Sequence, residues 1–254
     1  MGWLPQRLLW WRGRVRPRAS LRRRIVRQVV TLPFALVLLS ILITLGLRWI
    51  DPPTTAFMLR DQRTARSEGR TGYRLRHYWV EWKHVAPAAR IAVVAAEDQR
   101  FPYHSGFDLE SIAEAVQQRI RTGRVRGAST ISQQVAKNLF LWPEQSFVRK
   151  GVEAYFTTLI EFFWSKQRIL EVYLNVAQFG EGVFGIEAAS IQFFCKSASE
   201  LTSREAAILA AVLPNPVDLL VDRPSAYVES RSRWILSQVA MLGGNRHLRD
   251  LSDR

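Results

Sequence analysis

The chain has 254 residues, 48% of them hydrophobic, which suits one domain with its own core plus accessory segments. A formal charge of +14 would fit a nucleic-acid or anionic-surface binder, but its distribution argues otherwise: residues 1–28 hold nine arginines and no acids, leaving 27 bases against 22 acids beyond. Because that basic arm leads straight into an apolar run, a nucleic-acid-binding domain is disfavoured.

The run, VVTLPFALVLLSILITLGL over residues 29–47, is nineteen residues without a charge. As a helix it spans ~28 Å, close to a bilayer's hydrocarbon thickness. Pro33 is tolerable near the start of such a helix. The alternatives are a cleaved signal peptide and a buried core helix. The run is longer than a usual signal h-region, and LGLRWIDPP offers no small-x-small cleavage site, so it reads as a retained single-span anchor. The arginine arm then sets the N-terminus in the cytoplasm and everything after residue 50 outside.

Residues 51–72 are polar, rich in turn formers and without clear period, and 48–72 read as a stalk or substrate-facing loop. A compact, mainly α domain is expected over 73–243, with 244–254 as a tail. Helix signatures follow in order. PAARIAVVAAEDQRF opens on Pro87 and ends before Pro102. DLESIAEAVQQRIRTG has a cap at Asp108 and a stop at Gly123. STISQQVAKNLFLW starts on hydroxyls, and SFVRKGVEAYFTTLIEFFW runs from Ser146 to about Trp164. SKQRILEVYLNVAQF has Ser165 as its cap, and TSREAAILAAVL carries a capping box, Thr202 and Glu205. Cys195 is the one cysteine; it excludes an intrachain disulfide and reads as a buried apolar filler.

Three stretches carry candidate chemistry. In AAEDQRFPYHSGFD, Glu97 and Asp98 end an apolar helix, where a carboxylate opposes the helix dipole and where burial would raise its pKa toward that of a general base. A bland surface acid pair is equally compatible with these residues alone. In GASTISQQVAKN, Gly127 allows a sharp turn, and Thr130, Gln134, Lys137, Asn138 and Leu141 fall on one helical stripe. Hydroxyl, amide and ammonium make poor core and a good anion site at a helix N-terminus, although a solvated polar face has the same pattern. Upstream, RIRTGRVRG sets arginines at 119, 121, 124 and 126, which alone would read as an exposed loop. In FVRKGVEAYFTTLIE, Arg149 and Glu153 are one turn apart, and the large apolar residues around Glu153 predict a helix buried on most sides.

Taken together, EDQRF…HSGFD, GASTISQQVAKN, RKGVEAYF, KQRILEVYLNVAQFGEGVFGIEAAS and LTSREAAILAAVLPNP resemble the five ordered motifs of glycosyltransferase family 51. These are the peptidoglycan glycosyltransferases of bacterial penicillin-binding proteins and their monofunctional relatives. The resemblance implies a lysozyme-like helical domain with a small membrane-facing jaw, tethered by one N-terminal span at the inner membrane. No S-x-x-K, S-x-N or K-T-G follows, so the resemblance is to the monofunctional biosynthetic members.

By motif position, Glu97 matches the family's base, with Asp98, Phe101, His104 and Gly106 beside it. Gly127, Thr130, Gln134, Lys137 and Asn138 match the helix near the lipid-linked phosphates, and Arg149 and Glu153 match the second catalytic motif. The implied partners are lipid II, the growing lipid-linked glycan, membrane lipid and other cell-wall synthesis or division proteins. No cofactor is demanded and no metal ligand is certain; a divalent cation, Mg or Mn, is expected at most to assist the pyrophosphate. The apolar LFLW at 139–142, with Phe147, reads either as core or as a surface dipping into the membrane interface. FFCKSAS departs from the family, which favours glycine and often proline at Cys195 and Ser197.

Overall fold

The computed structural model describes residues 21–123, 129–144, 146–249 and 251. Gly127 and the arginines at 124 and 126 lie outside the described residues, as does most of the basic arm.

The chain divides into two compact units, Met1–Leu42 and Ile43–Arg254. Helix α1, Leu21–Gly46, contains the stretch Gln28–Gly46, whose mean hydropathy of 2.5 and length allow it to cross a membrane. Pro33 lies inside it without ending it.

The second unit starts with the end of that helix. Trp164 donates its indole N–H to the Thr44 carbonyl at 2.8 Å, and Arg168 donates to the Leu47 and Ile50 carbonyls and pairs with Asp51. Residues 48–72 are not the irregular loop expected. Thr55 caps α2, Ala56–Ser67, which buries Met58 and Ala65. The buried pair is seven residues apart, two helical turns, but five charged residues between Arg60 and Glu68 mask that period in the sequence.

Beyond it come α3 (Pro87–Glu97), α4 (Leu109–Thr122), α5 (Ile131–Phe140), α6 (Phe147–Phe163) and α7 (Lys166–Val176). The chain ends with α8 (Ile186–Phe194), α9 (Ser203–Val212) and α10 (Ala226–Met241). The starts follow the sequence: Asp108, Ser165 and Thr202, read as caps, and Ser146, read as a helix start, each accept a backbone N–H from the first turn. Thr130 does the same for α5 and forms a full capping box with Gln133.

Among the described residues, strands are confined to a three-stranded sheet. In it β1 (Arg76–His77) runs parallel to β3 (Val183–Phe184), and β3 pairs antiparallel with β2 (Gln178–Gly180). The fold is mainly α and consistent with the lysozyme-like domain that the resemblance implies.

One half of the core is α3 packed on α9 and α10; the other is α5 packed on α6 and α7. One hydrophobic cluster spans both halves and includes Phe101, Ile131, Val135, Ile169, Leu170 and Tyr173, all buried. Cys195 is a correction. It is exposed, because it holds the left-handed C-cap of α8 (φ 56°), a position that points its side chain away from the core. The family's glycine at that place would carry no such backbone cost.

Candidate active site

Glu97 is the last residue of α3, delivered by the buried run Val93–Ala95 to an open cleft. Its Oε2 accepts a hydrogen bond from the Gln134 side chain at 2.9 Å. Gln134 is fixed in turn by the Tyr173 hydroxyl, which donates to its carbonyl oxygen at 3.0 Å. Arg231 stands 3.5 Å from Oε1, and the Glu97 side chain is only 14% exposed. Burial pushes the Glu97 carboxyl above the usual glutamate value, and Asp98 adds to the rise; Gln134, Arg231 and Lys137 hold part of it back. The result is a poised carboxylate held by Gln134 and Arg231 on the edge of an open cleft.

Lys137 follows Gln134 by three residues on α5, so the two side chains share a face. Its ammonium lies 5.5 Å from the Phe57 ring centroid, and among the described residues it has no carboxylate ion-pair partner. Burial lowers its pKa; Glu153 and Glu97 pull it back up, while Arg149 and Lys150 push it further down. Lys137 therefore sits electrostatically between the two catalytic candidates. On α6, Arg149 donates to Glu153 Oε2 at 2.7 Å and Lys150 donates to the other oxygen. Three cations against one buried carboxylate leave the cluster with two positive charges. Such a cluster can hold a polyanion next to the Glu97 carboxylate.

Residues 64–240 match the family model described as Transglycosylase. The chain belongs to that family. It is 53% identical over 226 residues to the biosynthetic peptidoglycan transglycosylase of Xanthomonas campestris pv. campestris, covering 89% of this chain and 92% of that protein. The protein of the same description from Xanthomonas axonopodis pv. citri is 48% identical over 238 residues, 94% of this chain and 97% of its own. That from Xylella fastidiosa is 46% identical over 222 residues, 87% and 91% respectively.

Within this transglycosylase the structure separates the residues singled out in the sequence. Glu97, Gln134, Lys137, Arg149 and Glu153 are brought together. Phe101 is fully buried, with the Lys166 ammonium 4.6 Å from its ring centroid. Asp98 borders the cleft but spends its oxygens inside, accepting from the Ile131 N–H at 3.0 Å and from His104 Nε2 at 2.9 Å. His104 is saturated as well, because its Nδ1 accepts from the Gly106 N–H at 3.1 Å. Thr130 caps α5 and donates to the Gly106 carbonyl at 2.7 Å, and Asn138 is buried. All four carry internal contacts that build the site, and Asp98 and Thr130 also line its cleft.

Helix α6 is a second correction. It is not buried on most sides: the stripe Glu153, Thr157 and Ile160 faces inward, and Phe147, Val148 and Phe162 are exposed. Leu139 and Leu141 of the LFLW stretch are core, whereas Trp142 and Phe147 reach solvent. The burial of Glu153 is made possible by its two cationic partners, a feature that an apolar count cannot register.

Sequence reasoning missed four contributors. Tyr173 lies in the quoted LEVYLNVAQFG motif, yet nothing in its spacing points at Gln134. Lys150 was legible as a second i,i+3 partner of Glu153. Arg231 and Trp234 come from YVESRSRWIL, a charged helix with no local signal for a role at a site 134 residues away. Behind the site, Glu161 accepts from Ser132 and pairs with Lys166 at 2.8 Å, a buried brace between α5, α6 and α7.

Proposed function

We propose that this transglycosylase polymerises lipid II into β-1,4-linked glycan with inversion at the anomeric carbon and release of undecaprenyl pyrophosphate. What carries the reading is the pairing of one restrained, burial-tuned carboxylate, Glu97, with the Lys137–Arg149–Lys150–Glu153 cluster on the adjoining helices.

Glu97 takes the proton of the acceptor 4-hydroxyl as its oxygen bonds to the anomeric carbon. The bond from that carbon to the pyrophosphate oxygen breaks, and its electron pair leaves with the phosphate. General-base assistance of this kind contributes roughly 10²–10⁴-fold. The leaving group is already a stable anion and needs cations instead of a proton, which Lys137 supplies as a point charge and Arg149 as a fork. A glycoside hydrolase would require a carboxylic acid to protonate a sugar oxygen. Glu153 has both oxygens committed to Arg149 and Lys150, the posture of an orienting acceptor.

A divalent cation enters this reading only as a companion of the pyrophosphate. Among the described residues no group of three His, Cys, Asp or Glu side chains is arranged to hold one, and no step is assigned to it.

The anchor reading places the N-terminus in the cytoplasm and the catalytic domain at the periplasmic face of the inner membrane, supported by the arginines preceding the apolar helix. There the domain would meet membrane lipid, both lipid-linked substrates and other cell-wall synthesis or division proteins. The test is glycan formation by purified full-length protein from lipid II, with Glu97→Gln beside it. Polymer from the wild type and a loss of at least about 10²-fold in the variant support the assignment; undiminished activity in Glu97→Gln sinks it.

A further inference from the structure

Two cavities meet at Glu97. The smaller, about 280 Å³, is bordered by Asp98, Asp108 and Glu114 with Arg100, an acidic lining that repels phosphate. The larger, about 970 Å³, is bordered by Gln118 and Gln134 on one side and by Tyr227, Ser230, Arg231 and Trp234 on the other. Glu97 and Trp234 border both. Nothing in the catalytic reading explains why the wall facing the base should be aromatic.

That wall is a single helical face. Positions 227, 230, 231 and 234 of α10 recur at i, i+3, i+4 and i+7. The helix packs inward through Val228, Ser232 and Ile235, so the fold does not need the outward rings for its core. Tyr227 is 56% exposed and Trp234 40% exposed. Seven residues of helix separate them by about 10.5 Å along the axis, the scale of two linked hexose rings. Between them stand a hydroxyl and a guanidinium, and Arg231 lies 5.9 Å from the Trp234 ring centroid while touching Glu97.

We infer that the Tyr227–Trp234 face of α10 is a sugar-stacking platform that seats the glycan rings of the substrate against the catalytic carboxylate. A pyranose presents one or both faces as C–H groups, which fit the electron-rich face of an aromatic ring, and a rim of hydroxyls, which need donors and acceptors such as Ser230, Arg231 and Gln118. A polyprenyl or acyl chain would call for an uninterrupted apolar wall, and this one alternates ring and polar group. Trp234 also packs near Arg231, so the ring that seats the sugar borders the group that holds the base. Placement of the acceptor hydroxyl is then set by stacking before any proton moves.

The inference rests on the lipid II reading, and its test separates the two. Full-length protein carrying Glu97→Gln, which binds without turning over, is titrated with a peptide-free, lipid-free β-1,4 oligosaccharide of N-acetylglucosamine and N-acetylmuramic acid. Adding Trp234→Ala is expected to weaken binding about tenfold and Tyr227→Ala about threefold, with Trp234→Tyr retaining most of it. In the active protein, Trp234→Ala raises KM for lipid II about tenfold and also lowers kcat, whereas Trp234→Tyr restores most of both. Equal oligosaccharide binding with and without the Trp234 ring overturns the platform, as does binding that appears only when the stem peptide or the lipid is attached. Failure of the wild type to make glycan would instead strike the catalytic reading, and the oligosaccharide titration would still judge the platform. Unfolding temperatures of the variants, expected near that of the parent, exclude collapse of α10 as the cause.

Discussion

Helix α3 buries Ile91, Val93, Val94 and Ala95 and delivers Glu97 at its open end, whereas α6 buries Glu153, Thr157 and Ile160 and turns Phe147 and Phe162 outward at 99% and 78% exposure. Both helices supply a carboxylate to one site, but by opposite constructions. In α3 the hydrophobic effect does the holding, and the acid is carried to the cleft by a greasy helix. In α6 an ion cluster does it, and the apolar residues are left outside, where water is a poor neighbour for them. No described residue of α4 is buried, and its Leu109 and Ile120 are exposed too. These exposed side chains fit the reading of this region as a surface that dips into the membrane interface, which the vesicle measurement below checks.

This contrast can be broken in several places. The largest effect is expected at the ion cluster: Lys137→Ala or Glu153→Gln should lower turnover of lipid II about 10²–10³-fold while the unfolding transition survives, as circular dichroism melts would show. Next comes the core. Leu170→Ala should cost about 2–5 kcal/mol in denaturant titration, since its side chain is fully buried on α7.

The paired change Phe147→Ser with Phe162→Ser is the mirror of that experiment. It should leave the unfolding midpoint within about 2 °C and reduce partitioning of the soluble domain onto anionic vesicles about tenfold. A large loss of stability there would show that the outer face of α6 belongs to the core after all.

The smallest effects concern protonation of Glu97. Its carboxyl is raised by burial, so the acid limb of the kcat/KM profile should lie above the ordinary glutamate range, with activity lost as pH falls through it. Arg231→Met, which removes a charge that favours the ionised form, should move that limb upward by less than about one pH unit. The stability sign follows. A pKa raised by folding gives stability that is present below the unfolded value and lost as pH rises through the folded one. Near neutral pH the buried charge is therefore a cost, and Glu97→Gln should melt a few degrees higher than the wild type even as it loses activity.

Much of this was legible in the sequence because it depends on local chemistry. Caps at Asp108, Thr130, Ser146, Ser165 and Thr202 declare themselves through their own side chains, and the Arg149–Glu153 pair is one helical turn. Roles that need distant parts of the chain were not. Asp98 and His104 look like site residues from their motif, and only the placement of Ile131 and Gly106 shows them consumed by structure. Arg231 reaches Glu97 across 134 residues, a contact created by the packing of α10 on α3. The direction in which α6 faces is not legible in its apolar composition, because Phe147, Val148 and Phe162 point outward while the buried stripe carries the paired Glu153.

One joint ties the two constructions together. Gly106, at φ +87°, donates its N–H to His104, receives the Thr130 hydroxyl at its carbonyl, and lies so close to α6 that a Cβ would stand 2.8 Å from Thr157 and 2.9 Å from Glu161. A methyl group at this joint would press on the helix that bears Arg149 and Glu153. Even the smallest side chain there acts as a wedge. The loop after α3 is therefore held against α6 by contact on one side and by two hydrogen bonds on the other.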